Sequence, residues 1–305
     1  MKILITGSEG FVARNLSKKL NKLGFICYGI GRGQWKNNDH NEWGYYKNIC
    51  ATINYKTLVK YKKTKFDYVV HCAGGVSPNT SLKKSISETK DFEKNVLSIN
   101  SVLEYLVQNK KKTKVIFIST LSVYGNKKKK KIKEEEKLNP ISDYAINKVI
   151  AENICESFYK KYKIDILILR GGSLYGKGLR RQMIHDVCKK IIRKKNIFFG
   201  SGKETRDFIH IDDFTSLIKN IVSKSFRGFL VINAGCGKGI KVIDVIKYIQ
   251  KKLKINIKPK FNMFGSKVNP ISLVANINKT KKFNWSPKIN FYKGLNEYME
   301  WLIND

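Results

Sequence analysis

The residues of this chain best suited to proton transfer are Tyr144 and Lys148, four positions apart in the stretch DYAINK. A free phenol has a pKa of about 10, and a neighbouring ammonium favours the phenolate, bringing proton exchange with a carbonyl or alcohol oxygen closer to neutral pH. On a helix, residues at this spacing share one face. Thr120, which ends the apolar run VIFIST, could hydrogen-bond the same oxygen. These three side chains would suit carbonyl reduction or the reverse oxidation.

The Tyr-x-x-x-Lys spacing recurs in a chain that has 15 tyrosines and 60 lysines and arginines, so position must select among the pairs. The pairs are Tyr61/Lys65, Tyr124/Lys128, Tyr144/Lys148, Tyr159/Lys163 and Tyr248/Lys252. Of these, only the pair at Tyr144 opens a predicted helix after a strand that ends in a hydroxyl residue. In a doubly wound sheet, ligands lie outside the carboxyl ends of the strands. We therefore predict that Thr120, Tyr144 and Lys148 are catalytic and that the other spacings arise by chance.

Secondary structure must position these residues. In the first 170 residues, apolar strand-like runs alternate with helical patterns. Such alternation predicts an α/β fold, a doubly wound parallel Rossmann sheet. The later chain mixes short strands, glycine-rich turns and helices, and predicts a smaller, partly interleaved C-terminal substrate domain. We place the dinucleotide-binding domain at 1–170, with roughly 207–233 returning to it, and the substrate-binding domain at 171–206 and 234–305.

A glycine pattern follows the first predicted strand, in ILITGSEGFVARNLSKKL. Glycine lets the backbone approach a pyrophosphate, which the N-terminus of the next helix can bind. The candidate cofactor-binding residues of this turn are Gly7, Gly10, Phe11 and Val12. The second strand ends in Gly31 and Arg32, where NAD-binding folds place an acidic residue. Arg32 would suit a 2′-phosphate, unless it is a solvent-facing loop cation, so NADP(H) is the expected cofactor and NAD(H) the alternative.

Net charge, cysteine spacing and the length of the apolar runs indicate which partners and which cellular location to expect. The 305 residues carry a formal net charge of +36, but the excess lysine is spread along the chain and indicates solvated surface, so no nucleic-acid partner is expected. The six cysteines have no metal-ligand spacing, so neither a disulfide framework nor a metal site is predicted. Without an apolar run long enough to span a membrane, we expect no membrane association and a cytoplasmic location.

Several motifs together carry a family resemblance: TGSEGFVA, VVHCAG, ISTLSVYG, YAINK, LRGGSLYG, GSGKETRDFIHIDD and NAGCGKG. In order and spacing the chain resembles the extended short-chain dehydrogenase/reductase family, the nucleotide-sugar epimerases, dehydratases and reductases. The resemblance implies that Lys148 also bonds the nicotinamide ribose and that Arg206 binds the diphosphate of a nucleotide sugar. An ion pair with Asp207 or Asp212 is the alternative for Arg206. Ser173 stands where the family has a substrate-binding asparagine.

The remaining residues that the resemblance implies for the cofactor site are Asn48, Ile49, Cys72, Ala73, Gly74 and Asn95, with Tyr144 and Lys148 shared with catalysis. At Asn48 the family usually has an acidic residue beside adenine, so that contact is altered. An apolar stripe after Tyr144, which includes Ile146 and Ile154, could mediate a homodimer or pack on the chain's own core.

The resulting expectation is an NADP(H)-dependent reductase of a 4-keto nucleotide sugar, with a nucleotide-sugar 4-epimerase as the main alternative. A 4,6-dehydratase is less favoured because its family members carry an Asp-Glu pair where this chain has Leu121-Ser122. A combined 3,5-epimerase/4-reductase is disfavoured by Ser122 and Gly178, where those enzymes carry cysteine and histidine. A cofactor-binding regulator without activity is the alternative from another class.

Overall fold

The computed structural model describes residues 1–33, 39–75, 89–127, 131–263 and 269–304. The chain divides into two compact units. The first unit comprises Met1–Thr120, Asp143–Arg170 and Thr215–Ile232, and the second comprises Leu121–Ser142, Gly171–Phe214 and Asn233–Asp305. The assignment of cofactor binding to one part of the chain and substrate binding to another remains a prediction.

The described secondary structure comprises both strands and helices. The strands are β1 (Lys2–Thr6), β2 (Ile26–Gly31), β3 (Tyr45–Cys50), β4 (Tyr68–His71), β5 (Lys114–Thr120), β6 (Ile166–Gly171), β7 (Ser173–Tyr175), β8 (Ile197–Phe198), β9 (Thr205–His210), β10 (Phe229–Ala234), β11 (Gly239–Lys241), β12 (Lys260–Phe261) and β13 (Ser272–Leu273). The helices are α1 (Phe11–Asn21), α2 (Tyr55–Leu58), α3 (Ser98–Gln108), α4 (Asp143–Tyr162), α5 (Gln182–Ile192), α6 (Ile211–Lys224), α7 (Val242–Leu253) and α8 (Phe291–Asn304).

Among the described residues, the main sheet has seven strands in the order β10-β6-β5-β4-β1-β2-β3. β1 pairs in parallel with β2 on one side and with β4 on the other, and β4 pairs in parallel with β5. Chain order therefore reverses beside β1, which is the position where doubly wound sheets bind ligands. The predicted doubly wound parallel Rossmann fold is confirmed.

The first unit is held together by apolar residues on both faces of this sheet. Ile3, Leu4 and Ile5 of β1 are completely buried, as are Val102 and Leu103 of α3. Burial on both faces accounts for the continuous apolar runs that predicted the strands, since a parallel strand covered by helices has no solvated face. The buried face of helix α4 also carries charged side chains, among them Lys148 and Glu152.

The second unit is organised around β9, which pairs antiparallel with β11 and in parallel with β13 and β7. Asp207 of β9 is almost completely buried, and its carboxylate accepts hydrogen bonds from the backbone N–H groups of Cys236, Gly237 and Ala275. These bonds connect β9 to two loops and fix the strand that carries Arg206. Within the ranges described above, no helix has the length and apolar character needed to cross a bilayer.

Candidate active site

Tyr144 and Lys148 lie together on the first two turns of α4, in the first unit. Ser142 precedes this helix and Asp143 places a carboxylate at its positive N-terminal end, both of which favour a helix start here. The Lys148 ammonium lies 5.9 Å from the centroid of the Tyr144 ring. Thr120 is the last residue of β5. The structure therefore gives the tyrosine and the lysine the shared helix face that the sequence predicts.

Lys148 is held against β5. Its Nζ donates a 2.9 Å hydrogen bond to the carbonyl oxygen of Ile118 and lies 4.7 Å from the centroid of the Phe117 ring. Burial lowers the pKa of Lys148 from 10.5 to about 8, and nearby Cys72 and Glu152 oppose that shift. At neutral pH the side chain is still mainly an ammonium, and in this low-dielectric setting its charge favours a neighbouring phenolate.

A buried polar network that the sequence analysis missed supports this helix. Glu152 stands one turn after Lys148 and accepts hydrogen bonds from Nε and Nη2 of Arg170 on β6, at 3.1 Å and 2.6 Å from its two carboxylate oxygens. Ser119, next to Thr120, donates to the same carboxylate. The network ties α4 to the two strands beside it. The signal available in the sequence is the spacing of Tyr144, Lys148 and Glu152 on one helical face.

The glycine turn has the shape of a dinucleotide cradle. Gly7 has φ of +66°, and a Cβ at this position would lie 2.8 Å from the Cα of Ala73. A Cβ at Gly10 would lie 2.9 Å from the carbonyl oxygen of Gly7. Gly10 is also the N-cap of α1, and it offers no side-chain acceptor to the N–H groups of Phe11 and Val12 in the first turn. These residues fit a pyrophosphate, which needs close backbone approach and N–H donors.

The backbone after β4 is fixed by Asn95. The side-chain amide accepts from the N–H of Gly75 and donates to its carbonyl oxygen, both at 3.0 Å. Gly74 has φ of +134°, and a Cβ there would lie 3.0 Å from Nζ of Lys148. Asn95 belongs to a π-helical turn, Glu93–Leu97, a type of irregularity that is frequent at functional sites. In this structure Asn95 positions the turn that follows Cys72 and Ala73.

The two residues expected around adenine lie on opposite faces of β3. The Oδ1 atom of Asn48 approaches Gly29, where Ser8 of the glycine turn also packs, whereas Ile49 packs against the hydrophobic core of the first unit. Alternating side-chain direction along a strand produces this separation. Asn48 therefore faces the glycine turn. Ile49 does not share that face, and the roles of both residues at adenine remain predictions.

The end of β2 contains an acidic group that the sequence analysis did not expect. Arg32 follows the strand and is exposed, which fits both a 2′-phosphate site and a solvent-facing loop cation. However, the carboxylate of Glu9, from the glycine turn, fills the space beside Gly31. The missing acid at the end of β2 is thus replaced by one from another element. The sequence contains this acid as Glu9, two residues after Gly7, but the direction of its side chain depends on the folded turn.

The predicted substrate residues lie in the second unit. Ser173 begins β7, where it pairs with Phe208, and Arg206 lies on β9. The guanidinium of Arg206 donates to the carbonyl oxygen of Thr205 at 2.9 Å and to Oδ1 of Asn269. Burial lowers the pKa of Arg206 to about 10, with Glu204 opposing the shift.

Arg206 is 9% exposed, yet within the described ranges it forms no ion pair with Asp207, Asp212 or any other acid. Asp207 is committed to backbone N–H groups, and Glu204 bonds Ser201. The carboxylate of Glu204 attracts the guanidinium electrostatically but forms no close ion pair with it. A buried cation without a close ion pair is costly, and the diphosphate role of Arg206 remains a prediction.

The other tyrosines of the recurrent spacing have structural contacts. The hydroxyl of Tyr61 donates to the carbonyl oxygen of Gly29, and that of Tyr248 lies 2.9 Å from Oδ1 of Asn296. Tyr159 stacks on Phe229. Lys128, the partner of Tyr124, lies outside the described residues.

The buried histidine of the VVHCAG motif also has structural contacts. His71 lies between the hydroxyls of Thr6 and Ser98, at 2.9 Å and 3.1 Å. The part of the chain that the structure describes contains no cluster of three or more side chains suited to a metal ion.

The model of the NAD dependent epimerase/dehydratase family matches residues 3–235. The chain belongs to this family. The predicted membership is confirmed, and the roles of individual residues remain predictions.

Relatives of this family member differ in the reaction for which they are named. The dTDP-D-glucose 4,6-dehydratase of Dictyostelium discoideum is 32% identical over 276 residues, covering 81% of this chain and 61% of the relative's own length. An uncharacterized UDP-glucose epimerase of Bacillus subtilis, YtcB, is 26% identical over 265 residues, covering 82% and 81%. The UDP-glucuronic acid 4-epimerase of Bacillus cereus, solved with UDP-glucuronic acid and NAD, is 25% identical with a TM-score of 0.86, covering 100% and 99%. The cofactor in that structure is NAD, and no finding supports the expected preference for NADP(H).

Proposed function

We propose that this protein is a nucleotide-sugar 4-epimerase that retains NAD through its catalytic cycle. The observation that carries the proposal is the pair formed by Tyr144 and the buried ammonium of Lys148 on α4. The strand that precedes this helix in the chain, β5, ends in Thr120. When bound, NAD accepts a hydride from C4 of the sugar and returns it. Tyr144 takes the proton of the C4 hydroxyl and gives it back, while Lys148 stabilises the phenolate and Thr120 hydrogen-bonds the same oxygen.

Residues 121 and 122 argue against elimination. By family resemblance a 4,6-dehydratase needs an Asp-Glu pair here to remove water between C5 and C6, and Leu121-Ser122 provide neither an acid nor a base of that kind. Leu121 is also 1% exposed. Transfer at C4 alone needs no further acid–base pair. The reaction for which the Dictyostelium relative is named is therefore not the one we propose.

Arg206 supports a diphosphate as part of the substrate. Its guanidinium is buried, its hydrogen bonds to Thr205 and Asn269 go to neutral oxygens, and its planar fork matches phosphate oxygens. The Bacillus cereus relative is solved with UDP-glucuronic acid. We accordingly propose UDP-linked hexoses or hexuronic acids as the first substrates to examine.

The 4-keto-sugar reductase remains the second candidate, and exposed Arg32 favours it because a reductase consumes cofactor and can draw on NADPH. The two candidates differ in the number of dinucleotide molecules consumed for each sugar converted. Purified protein would be incubated with UDP-glucose or UDP-glucuronic acid and, in a parallel reaction, with a 4-keto nucleotide sugar and NADPH. The products would be separated by anion-exchange chromatography. An epimerase should convert each sugar to its C4 epimer without consuming added dinucleotide. Failure to epimerise, with one NADPH oxidised for each 4-keto sugar reduced, would establish the reductase instead.

A cytoplasmic homodimer is part of the same proposal. Ile146 on α4 is 42% exposed and Leu97 before α3 is 47% exposed, so apolar surface is present on neighbouring helices of the first unit. Ile154, from the stripe noted in the sequence, packs against the core of that unit. Light scattering should give twice the chain mass, and the mass of a single chain at micromolar concentration would contradict the dimer.

A further inference from the structure

The glycine turn places a carboxylate at the end of β2. The N–H groups of Gly7 and Ser8 both donate to the carbonyl oxygen of Ile30, at 2.7 Å and 3.3 Å, so the turn is fixed against this strand. The hydroxyl of buried Tyr45 donates to the carbonyl oxygen of Ser8 at 3.1 Å. Glu9 is the next residue, and these bonds determine where its side chain begins.

The side chain of Glu9 occupies the space that a residue with a side chain at position 31 would need. A Cβ built on Gly31 would lie 2.8 Å from Cδ and 2.9 Å from Oε1 of Glu9, and closer still to Oε2. A Cβ built on Gly33 would lie 2.7 Å from Cγ of Glu9. The two glycines therefore form a groove for this side chain. Ser8 Oγ donates to Oε1 at 3.0 Å and orients the carboxylate.

This position determines which dinucleotide a Rossmann fold accepts. At the end of the second strand, a carboxylate accepts hydrogen bonds from the adenosine ribose, and a cation accommodates a 2′-phosphate. Glu9 provides the carboxylate from the glycine turn, although the strand itself ends in glycine. A phosphate brought beside it would add a second negative group at close range, which is unfavourable where water is partly excluded.

Arg32 has the opposite effect but is less constrained. It is exposed, whereas Glu9 is half-buried and lies in the groove formed by Gly31 and Gly33. An exposed cation is screened by water and salt, and it loses side-chain entropy when it is ordered on a ligand. The fixed carboxylate should therefore dominate in the wild-type chain, with Arg32 contributing only once that carboxylate is neutralised.

We propose that Glu9 is the residue that selects NAD(H) over NADP(H), and that it masks a 2′-phosphate site at Arg32. This inference rests on the dinucleotide site within the proposed function and does not depend on which sugar reacts. It predicts that one neutral substitution in the glycine turn changes cofactor preference. It also accounts for an NAD-type site in a chain whose second strand ends without an acid.

The test is to titrate NADH and NADPH separately into cofactor-free protein with no sugar present. Fluorescence or calorimetry measures the affinity for each dinucleotide. Wild type should bind NADH at least tenfold more tightly than NADPH. Glu9→Gln should tighten NADPH binding about tenfold or more and weaken NADH binding by less than that. Glu9→Asp, which keeps the charge, should retain the wild-type preference. Adding Arg32→Ala to Glu9→Gln should remove most of the gain for NADPH and leave NADH affinity nearly unchanged.

Glu42→Gln is the matched control, because it removes the same charge from an exposed position before β3 and should leave both affinities as in wild type. Thermal melts of each variant would verify folding. Tighter NADPH than NADH binding by wild type would overturn the proposal, as would an unchanged ratio of the two affinities in Glu9→Gln. The titration contains no sugar, so its result does not depend on the epimerase assay. If Glu9 selects NADH but the protein epimerises no UDP-sugar, only the proposed function is contradicted.

Discussion

Replacing Lys148 by methionine should lower activity severely and yet stabilise the cofactor-free chain at neutral pH. Lys148 is 3% exposed, and burial lowers its pKa from 10.5 to about 8. A depression of this size corresponds to about 3 kcal/mol of penalty for keeping the ammonium in the folded state. Methionine has a similar length and no charge, but it loses the hydrogen bond to Ile118, worth about 1 kcal/mol. The free energy of unfolding should therefore rise by about 2 kcal/mol.

The sign of the pH dependence follows from the same shift. Since the folded-state pKa of Lys148 is lower than the unfolded value, the unfolded chain binds more protons between about pH 8 and 10.5. Lys148 therefore destabilises the folded chain by a constant amount below about pH 8, and this penalty disappears as pH rises from about 8 to 10.5. The advantage of the methionine variant should shrink across that window. Titrating groups that do not interact with Lys148 cancel when the two chains are compared, whereas the nearby thiols of Cys72 and Cys155 do not.

Urea denaturation followed by circular dichroism at a series of pH values measures this difference. Lys161→Met is the control, because Lys161 is exposed on the same helix and its replacement should change stability by less than about 0.5 kcal/mol. A Lys148→Met variant less stable than wild type by more than about 1 kcal/mol at neutral pH would refute the reasoning. An advantage that stays constant up to pH 10.5 would also refute it.

Three further substitutions test separate parts of the site. Tyr144→Phe should lower turnover by about a hundredfold or more with cofactor affinity unchanged, whereas Tyr159→Phe, on the same helix and also four residues before a lysine, should be nearly silent. Near-normal turnover in Tyr144→Phe would remove Tyr144 from the chemistry. Arg206→Ala should weaken nucleotide-sugar binding by about 1.5 to 3 kcal/mol in calorimetry and spare dinucleotide binding, and equal losses for both ligands would make Arg206 structural. Asn95→Ala should cost about 2 kcal/mol of stability and weaken NADH binding, because the bonds to Gly75 are lost; unchanged NADH affinity would separate Asn95 from the cofactor turn.

Local pattern was sufficient to predict the sheet, the glycine turn and the shared helix face of Tyr144 and Lys148. The runs KILIT and DILILR become β1 and β6 because an apolar stretch of strand length can be buried only inside a covered sheet. Tyr144 and Lys148 share a helix face because α4 begins where Ser142 and Asp143 favour a start. In each case residues close in sequence determine the local structure. The order of strands and helices along the chain then places the glycine turn and the helix at the end of a strand.

The groups that tune this site were decided by contacts between distant parts of the chain. Glu9 reaches Gly31 only because the turn after β1 bonds Ile30 of β2, whereas the strand-end glycine by itself predicted NADP(H). Arg170 pairs with Glu152 because β6 and α4 pack together, and burial, which no local pattern specifies, lowers the pKa of Lys148. The sequence by itself determined the fold and the family, since these follow from the periodicity of the elements and the order of the motifs, and it predicted which side chains react. Only the tertiary structure decided the electrostatic environment of those side chains, because charges act through space and desolvation depends on the whole packed unit.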